Sequence, residues 1–169
     1  MSRIRIKNFG PVKDGFCDDD GWIDVKKVTV FIGEQGSGKS TVAKLISTFA
    51  WIEKALVRGD YNAKWFERKN RFRKQFLGYH RLENYLSEGD DKCVIEYRGD
   101  VYAIRYENEG LVIDEISDAS YPLPQIMYVP AERNIISFVK EARELKLSSD
   151  SLQEFLVEFE KAKNDLKDF

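Results

Sequence analysis

Cysteine and histidine are scarce in this chain. Cys17 and Cys93 are its two cysteines and His80 its one histidine. That excludes a disulfide framework, a thiolate metal site and a histidine-rich metal centre. No apolar run is long enough to span a bilayer, so no membrane partner is expected. The start, Met1-Ser2-Arg3-Ile4-Arg5-Ile6, alternates charge with Ile, whereas a signal peptide needs a continuous apolar stretch. Neither sign of charge dominates: 27 Lys and Arg face 29 Asp and Glu, for a net charge of -2. Any nucleic-acid contact must therefore be local. Internal repeats and low-complexity segments are missing too. These absences leave a soluble, reduced, cytoplasmic chain as the expectation. Its 169 residues, 43% of them hydrophobic, suffice for one domain with a core.

The residues that are present fall into periodic segments. Ile4 and Ile6 share one face of an expected strand from Arg3 to Asn8, which Phe9-Gly10-Pro11 breaks. Trp22 to Val25 reads as a second short strand. Lys27 to Ile32 is β-branched and almost continuously apolar, which predicts a strand buried on both faces. From Ser40 to Val57, Val42, Leu45, Ile46, Phe49, Ile52 and Leu56 recur at helical steps. Residues 61–86 read as a basic, aromatic helical insertion. Within 92–117, three alternating runs separated by Gly99-Asp100 and Asn108-Glu109-Gly110 predict an antiparallel meander. Gln125 to Val129 reads as another buried strand, and Ala131 to Leu147 as a helix. Ser151-x-x-Glu154 has the form of a capping box opening a last helix within 148–169.

One motif carries explicit chemistry. Gly33-Glu34-Gln35-Gly36-Ser37-Gly38-Lys39-Ser40 matches G-x-x-x-x-G-K-[ST] in full. Glycines let the backbone turn with positive φ and bring several N–H groups to one phosphate. The helix that follows adds the positive end of its dipole. Lys39 is placed to reach the β- and γ-phosphates, Ser40 to ligate Mg2+, and Thr41 to add a hydroxyl near the α-phosphate. The expected ligand is a nucleoside triphosphate with magnesium. The sequence holds no N-K-x-D guanine motif, which favours ATP.

Beyond the loop, Ile4-Arg5-Ile6-Lys7-Asn8-Phe9-Gly10-Pro11-Val12 resembles the first strand of SMC/RecF-like ATPase heads of the ABC superclass. Tyr128-Val129-Pro130-Ala131-Glu132-Arg133 resembles a string of bacterial AAA-type ATPases grouped with OLD and SMC-like proteins, many of which sit in phage-defence or toxin–antitoxin systems. Ser151-Leu152-Gln153-Glu154-Phe155-Leu156 is similar to that group as well. The resemblance implies an α/β P-loop fold with parallel core strands beside the meander, all of 1–169 forming one ATPase lobe. It implies ATP hydrolysis or ATP-gated pairing with a second head, in a homodimer or otherwise, coupled to DNA or an effector protein. It also makes Glu132 the candidate for the Q-loop position, as a ligand of magnesium or of a metal-bound water, although such heads carry Gln there. Glu132 has a second reading, as an acid in the first turn of a helix. Arg133 could contact a phosphate or cap a carbonyl.

Two features compete for attention. Leu111-Val112-Ile113-Asp114-Glu115 has the look of a Walker B strand, whose acids hold magnesium and polarise water. It follows a tight turn, however, and Val101 to Tyr106 is a natural hairpin partner, whereas a Walker B strand runs parallel to the P-loop strand after a long crossover. A Walker B identity for Asp114 and Glu115 would make the protein a self-contained P-loop phosphotransferase, with Lys64 to Arg81 as its lid. A third reading is a nucleotide-dependent binding module without turnover. In the basic stretch, Trp65, Phe72, Phe76 and Tyr79 suit one buried helical face. Lys64, Arg68, Lys69, Arg71, Arg73, Lys74 and Arg81 are then left for solvent or for a phosphate backbone. No L-S-G-G-Q-type signature, later Walker B or switch histidine follows Ser151; Leu147-Ser148-Ser149 is only a fragment of the signature. The chain therefore reads as the N-terminal part of a longer ATPase, or half of a split head.

Overall fold

The isoleucine alternation at the N-terminus forms the strand it predicts. β1 (Arg3–Lys7) buries Ile4 and Ile6 and turns Arg3 and Arg5 outward. In the computed structural model, residues 1–86, 93–118, 120–130 and 151–166 are described. They fall into two units, Met1–Ile126 and Met127–Phe169.

The first unit is built on a five-stranded sheet with β1 near its middle. β2 (Trp22–Asp24), β3 (Val94–Arg98), β4 (Tyr102–Glu107) and β5 (Gly110–Glu115) complete it in the order β2-β1-β3-β4-β5. Every neighbouring pair is antiparallel. The meander is present as its turn residues predict. Asn108 and Glu109 both take positive φ, 48° and 64°, between the paired residues Glu107 and Gly110. Two positive φ values are what a two-residue hairpin needs to match the twist of its strands.

One face of the sheet is apolar and the other charged. Ile4, Ile6, Ile95, Tyr97, Ile104, Leu111 and Ile113 form a core with Leu45, Phe49 and Ile52 of α1 (Lys39–Arg58). Burying each such side chain is worth about 1.5–3 kcal/mol. On the outer face Arg5 pairs with Glu96, and Arg105 with Asp114. Helix α1 ends where its sequence predicts. Gly59 takes φ 76°, and the N–H groups of Gly59 and Asp60 return to the carbonyls of Leu56 and Ala55 at 3.0 Å. That is a Schellman closure, which asks for a glycine.

Several expectations need correction. No parallel core strand occurs among the described residues. Lys27 to Ile32 pairs with no strand; Val28, Val30 and Ile32 are 76%, 73% and 93% exposed, while Phe31 packs on the core. Gln125 to Val129 likewise forms no strand with the described residues, and Met127 and Val129 are exposed. Apolar β-branched sequence supplies propensity, but a strand exists only where a neighbour takes its hydrogen bonds. Residues 61–86 do not form one helix. They divide into α2 (Ala63–Phe66), a π-helical segment Phe72–Leu77 and a 3-10 turn Glu83–Tyr85. Asn70 and Arg81, with φ 61° and 58°, interrupt the helical path. Of the four aromatics expected on one buried helical face, Phe72 is fully buried and Trp65 and Phe76 pack against the core from separate segments, while Tyr79 is outside the core cluster; Phe66, also fully buried, joins it.

In the second unit, α3 (Ser151–Asp165) buries Phe155 and Leu156, while Phe159 is 41% exposed. The expected helix at 131–147, and with it Glu132, Arg133 and Leu147-Ser148-Ser149, lies outside the described residues.

Candidate nucleotide-binding site

The glycine-rich loop leads directly into α1, as the motif requires. Gly36 and Gly38 take φ 80° and 92°, a region that a side chain disfavours. Gly38 has a second reason to be glycine: a Cβ there would lie 2.6 Å from Val12 Cγ2. The turn after β1 thus packs against the base of the loop. Pro11 and Val12, which follow β1, lie against Gly38 at the base of the loop.

Gly38 is also the N-cap of α1, and it brings no side-chain acceptor to the first-turn N–H groups. Those donors, with the helix dipole behind them, are the groups a phosphate takes. The Lys39 ammonium folds back over the loop. It donates to the carbonyl oxygens of Gly33 (2.8 Å) and Glu34 and to Ser37 Oγ (3.2 Å). It therefore points across the concave side of the loop, where oxygen acceptors of a phosphate can replace these carbonyls. Gly33, Glu34, Gln35, Gly36, Ser37 and Ser40 are exposed. Thr41, by contrast, is 3% exposed beneath the loop. The donor set suits a magnesium triphosphate: backbone N–H groups and an ammonium for the phosphates, and the Ser40 hydroxyl for a hard cation.

Asp114 and Glu115 are not brought to this loop. The strand register puts Arg3, Arg98, Ala103 and Asp114 in one row across the sheet. The loop instead abuts Pro11 and Val12, which follow the opposite end of β1. Both acids are exposed, and Asp114 accepts from Arg105 at 2.5 Å.

Sequence reasoning passed over two residues that anchor α1. Glu53 is fully buried and accepts from the Val101 N–H (2.8 Å), the Tyr102 N–H (3.2 Å) and the Tyr97 hydroxyl (2.9 Å). Burial and this carboxylate push the Tyr97 hydroxyl well above the ordinary tyrosine range, and Tyr121 up to about 12. A signal was available, because Glu53 falls four residues after Phe49 and three before Leu56, on the apolar stripe itself. Lys44 donates to the His80 carbonyl at 2.9 Å, fastening α1 to the basic insertion. Burial, with Lys44 close by, lowers the His80 imidazole to about 4, so the ring is neutral at pH 7.

No curated protein sequence and no solved structure matches the chain. A family model described as AAA ATPase domain matches residues 1–169, and the chain belongs to that family, whose members in general use ATP with magnesium.

Proposed function

We propose that this chain is the ATP-binding lobe of an SMC-like AAA-type ATPase, coupling ATP binding and hydrolysis to a DNA or protein partner. The observation that carries the reading is the Lys39 ammonium held across a positive-φ glycine loop at the uncapped start of α1. In this reading the loop N–H groups and Lys39 bind the phosphates, and Ser40 binds magnesium. The metal supplies neutralisation of phosphate charge. Glu132 takes the Q-loop position toward magnesium or its water. A second ATPase head, from another copy or another chain, supplies the remaining groups for hydrolysis.

The unpaired segment Lys27 to Ile32 supports the incomplete-head part of this reading. Its alternation is strand-like, with Phe31 inward and Val28, Val30 and Ile32 outward. In the complete ATPase it becomes a parallel core strand with its outer face covered. Leaving three β-branched side chains this exposed forgoes several kcal/mol of burial.

Calorimetric titration with magnesium and a non-hydrolysable ATP analogue tests the assignment. Lys39→Ala should weaken binding tenfold or more through loss of one charge-assisted contact, with an unchanged circular dichroism spectrum. Equal affinity in variant and parent would overturn it.

A further inference from the structure

The basic insertion and α1 together expose a feature that neither shows alone. Trp51, on the outer side of α1, is 41% exposed, and Tyr61, just beyond the end of that helix, is 38% exposed. Their ring centroids lie 6.3 Å apart. Tyr61 in turn packs on Trp65 at 4.2 Å with the rings tilted by 30°, and the Arg71 guanidinium covers the Trp65 ring at 3.9 Å. The four side chains make a continuous strip, Trp51–Tyr61–Trp65–Arg71. Phe66 and Phe76 back it from the core side, packing against Trp51 at 6.4 and 5.8 Å. The rings are therefore fixed in place while Trp51 and Tyr61 remain open to solvent.

The charge in the stretch that carries this strip is mostly positive. From Arg58 to Arg81 there are eight Lys and Arg against two acids, in a chain whose net charge is -2. Two of the cations are neutralised, Arg58 by Asp60 and Lys69 by Glu109. Lys64, Arg68 and Lys74 are exposed and make no ion pair among the described residues. Cations beside supported, open aromatic rings are what a single-stranded polynucleotide uses: phosphates take the charge, and unstacked bases take the rings. A duplex, whose bases are already stacked, has no use for the rings. An acidic peptide needs only the charge.

The geometry points to this strip as a binding surface for single-stranded nucleic acid, with Trp51 and Tyr61 stacking bases and Lys64, Arg68 and Lys74 holding phosphates. The inference names the partner left open above and rests on that part of the reading. It does not depend on the nucleotide loop, so binding is measured without ATP, and Lys39→Ala serves as a control.

The test is anisotropy of a labelled single-stranded thymidine oligonucleotide titrated with the whole chain, with tryptophan emission followed in parallel. Binding should quench emission, and Trp51→Phe should remove most of the quench. With about three phosphate contacts, affinity should fall roughly a hundredfold per tenfold rise in salt. Lys64→Glu with Arg68→Glu, both at exposed positions, should weaken binding tenfold or more. Tyr61→Ala should weaken it by a smaller factor, and Lys39→Ala should leave it unchanged. Three results would each overturn the inference: no binding at low salt, equal binding by the charge-reversed variant, or equal affinity for a duplex or for polyglutamate. Loss of ATP binding in Lys39→Ala with oligonucleotide binding intact would separate the two sites. Intact oligonucleotide binding with no ATP binding in the parent would sink the nucleotide reading alone.

Discussion

Glu53 occupies the space that a side chain on Gly99 would need: a Cβ at Gly99 would overlap both oxygens of the Glu53 carboxylate. The turn between β3 and β4 comes this close because Glu53 takes the N–H groups of Val101 and Tyr102 at that turn. The P-loop helix and the meander are thus fastened by one buried acid, far along α1 from Lys39.

Removing this fastening should cost stability without touching the nucleotide loop. Glu53→Leu leaves two backbone donors and a tyrosine hydroxyl buried without their acceptor. We expect a loss of about 3 kcal/mol or more by urea denaturation. Gly99→Ala should cost about 1–3 kcal/mol by overpacking. Glu53→Gln, which keeps the shape and one acceptor oxygen, should cost less than either. A folded Glu53→Leu protein of parental stability would show that the network contributes nothing.

The strand register makes a prediction about magnesium. Asp114→Asn with Glu115→Gln should leave magnesium-ATP binding within about twofold of the parent, since Asp114 sits in the row of Arg3 and Glu115 lies one residue beyond it, away from the loop. A large loss of magnesium-dependent affinity in calorimetry would instead assign them to the metal and revive the phosphotransferase reading.

Acid should weaken the fold through His80. Its pKa falls from 6.5 to about 4 on folding, so the unfolded chain binds the extra proton. Stability from keeping this ring neutral is complete above pH 6.5 and is lost as pH falls toward 4. Between pH 7 and pH 5.5 the loss should be about 1 kcal/mol. Urea midpoints at the two pH values measure it. His80→Gln should flatten the difference; an unchanged difference would assign it to other groups.

Hydrolysis by this chain should be slow. Lys39 and Ser40 position phosphate and metal, but the attacking water must also be oriented and the transferred group stabilised. In the reading above those tasks fall to Glu132, to a second head, and to Walker B and signature motifs that this sequence does not hold. Phosphate release with magnesium should stay well below about one per second at every protein concentration. A specific activity of about one per second or more, abolished by Lys39→Ala, would mean that each chain works alone.

The glycine loop, the helix after it and the meander were legible from residues because their signals are local. Gly36 and Gly38 announce positive φ. The stripe from Val42 to Leu56 announces one buried face, and Asn108-Glu109-Gly110 announces a hairpin. A helix satisfies its own backbone hydrogen bonds, and a two-residue turn fixes its own register, so short windows suffice. The hairpin placement of Asp114 and Glu115 was legible for the same reason. Tertiary structure decided what depends on a distant partner. Lys27 to Ile32 carries the composition of a buried strand yet pairs with no strand among the described residues, because strand formation requires a neighbour that composition cannot name. Residues 61–86 carry helical composition but are broken at Asn70 and Arg81. The docking of Val12 on Gly38, the burial of Glu53 against Val101 and the joining of Trp51 to Tyr61 and Trp65 link positions that only chain folding brings together. Sequence determined the chemistry available at the loop; packing determined where that loop stands and which surfaces accompany it.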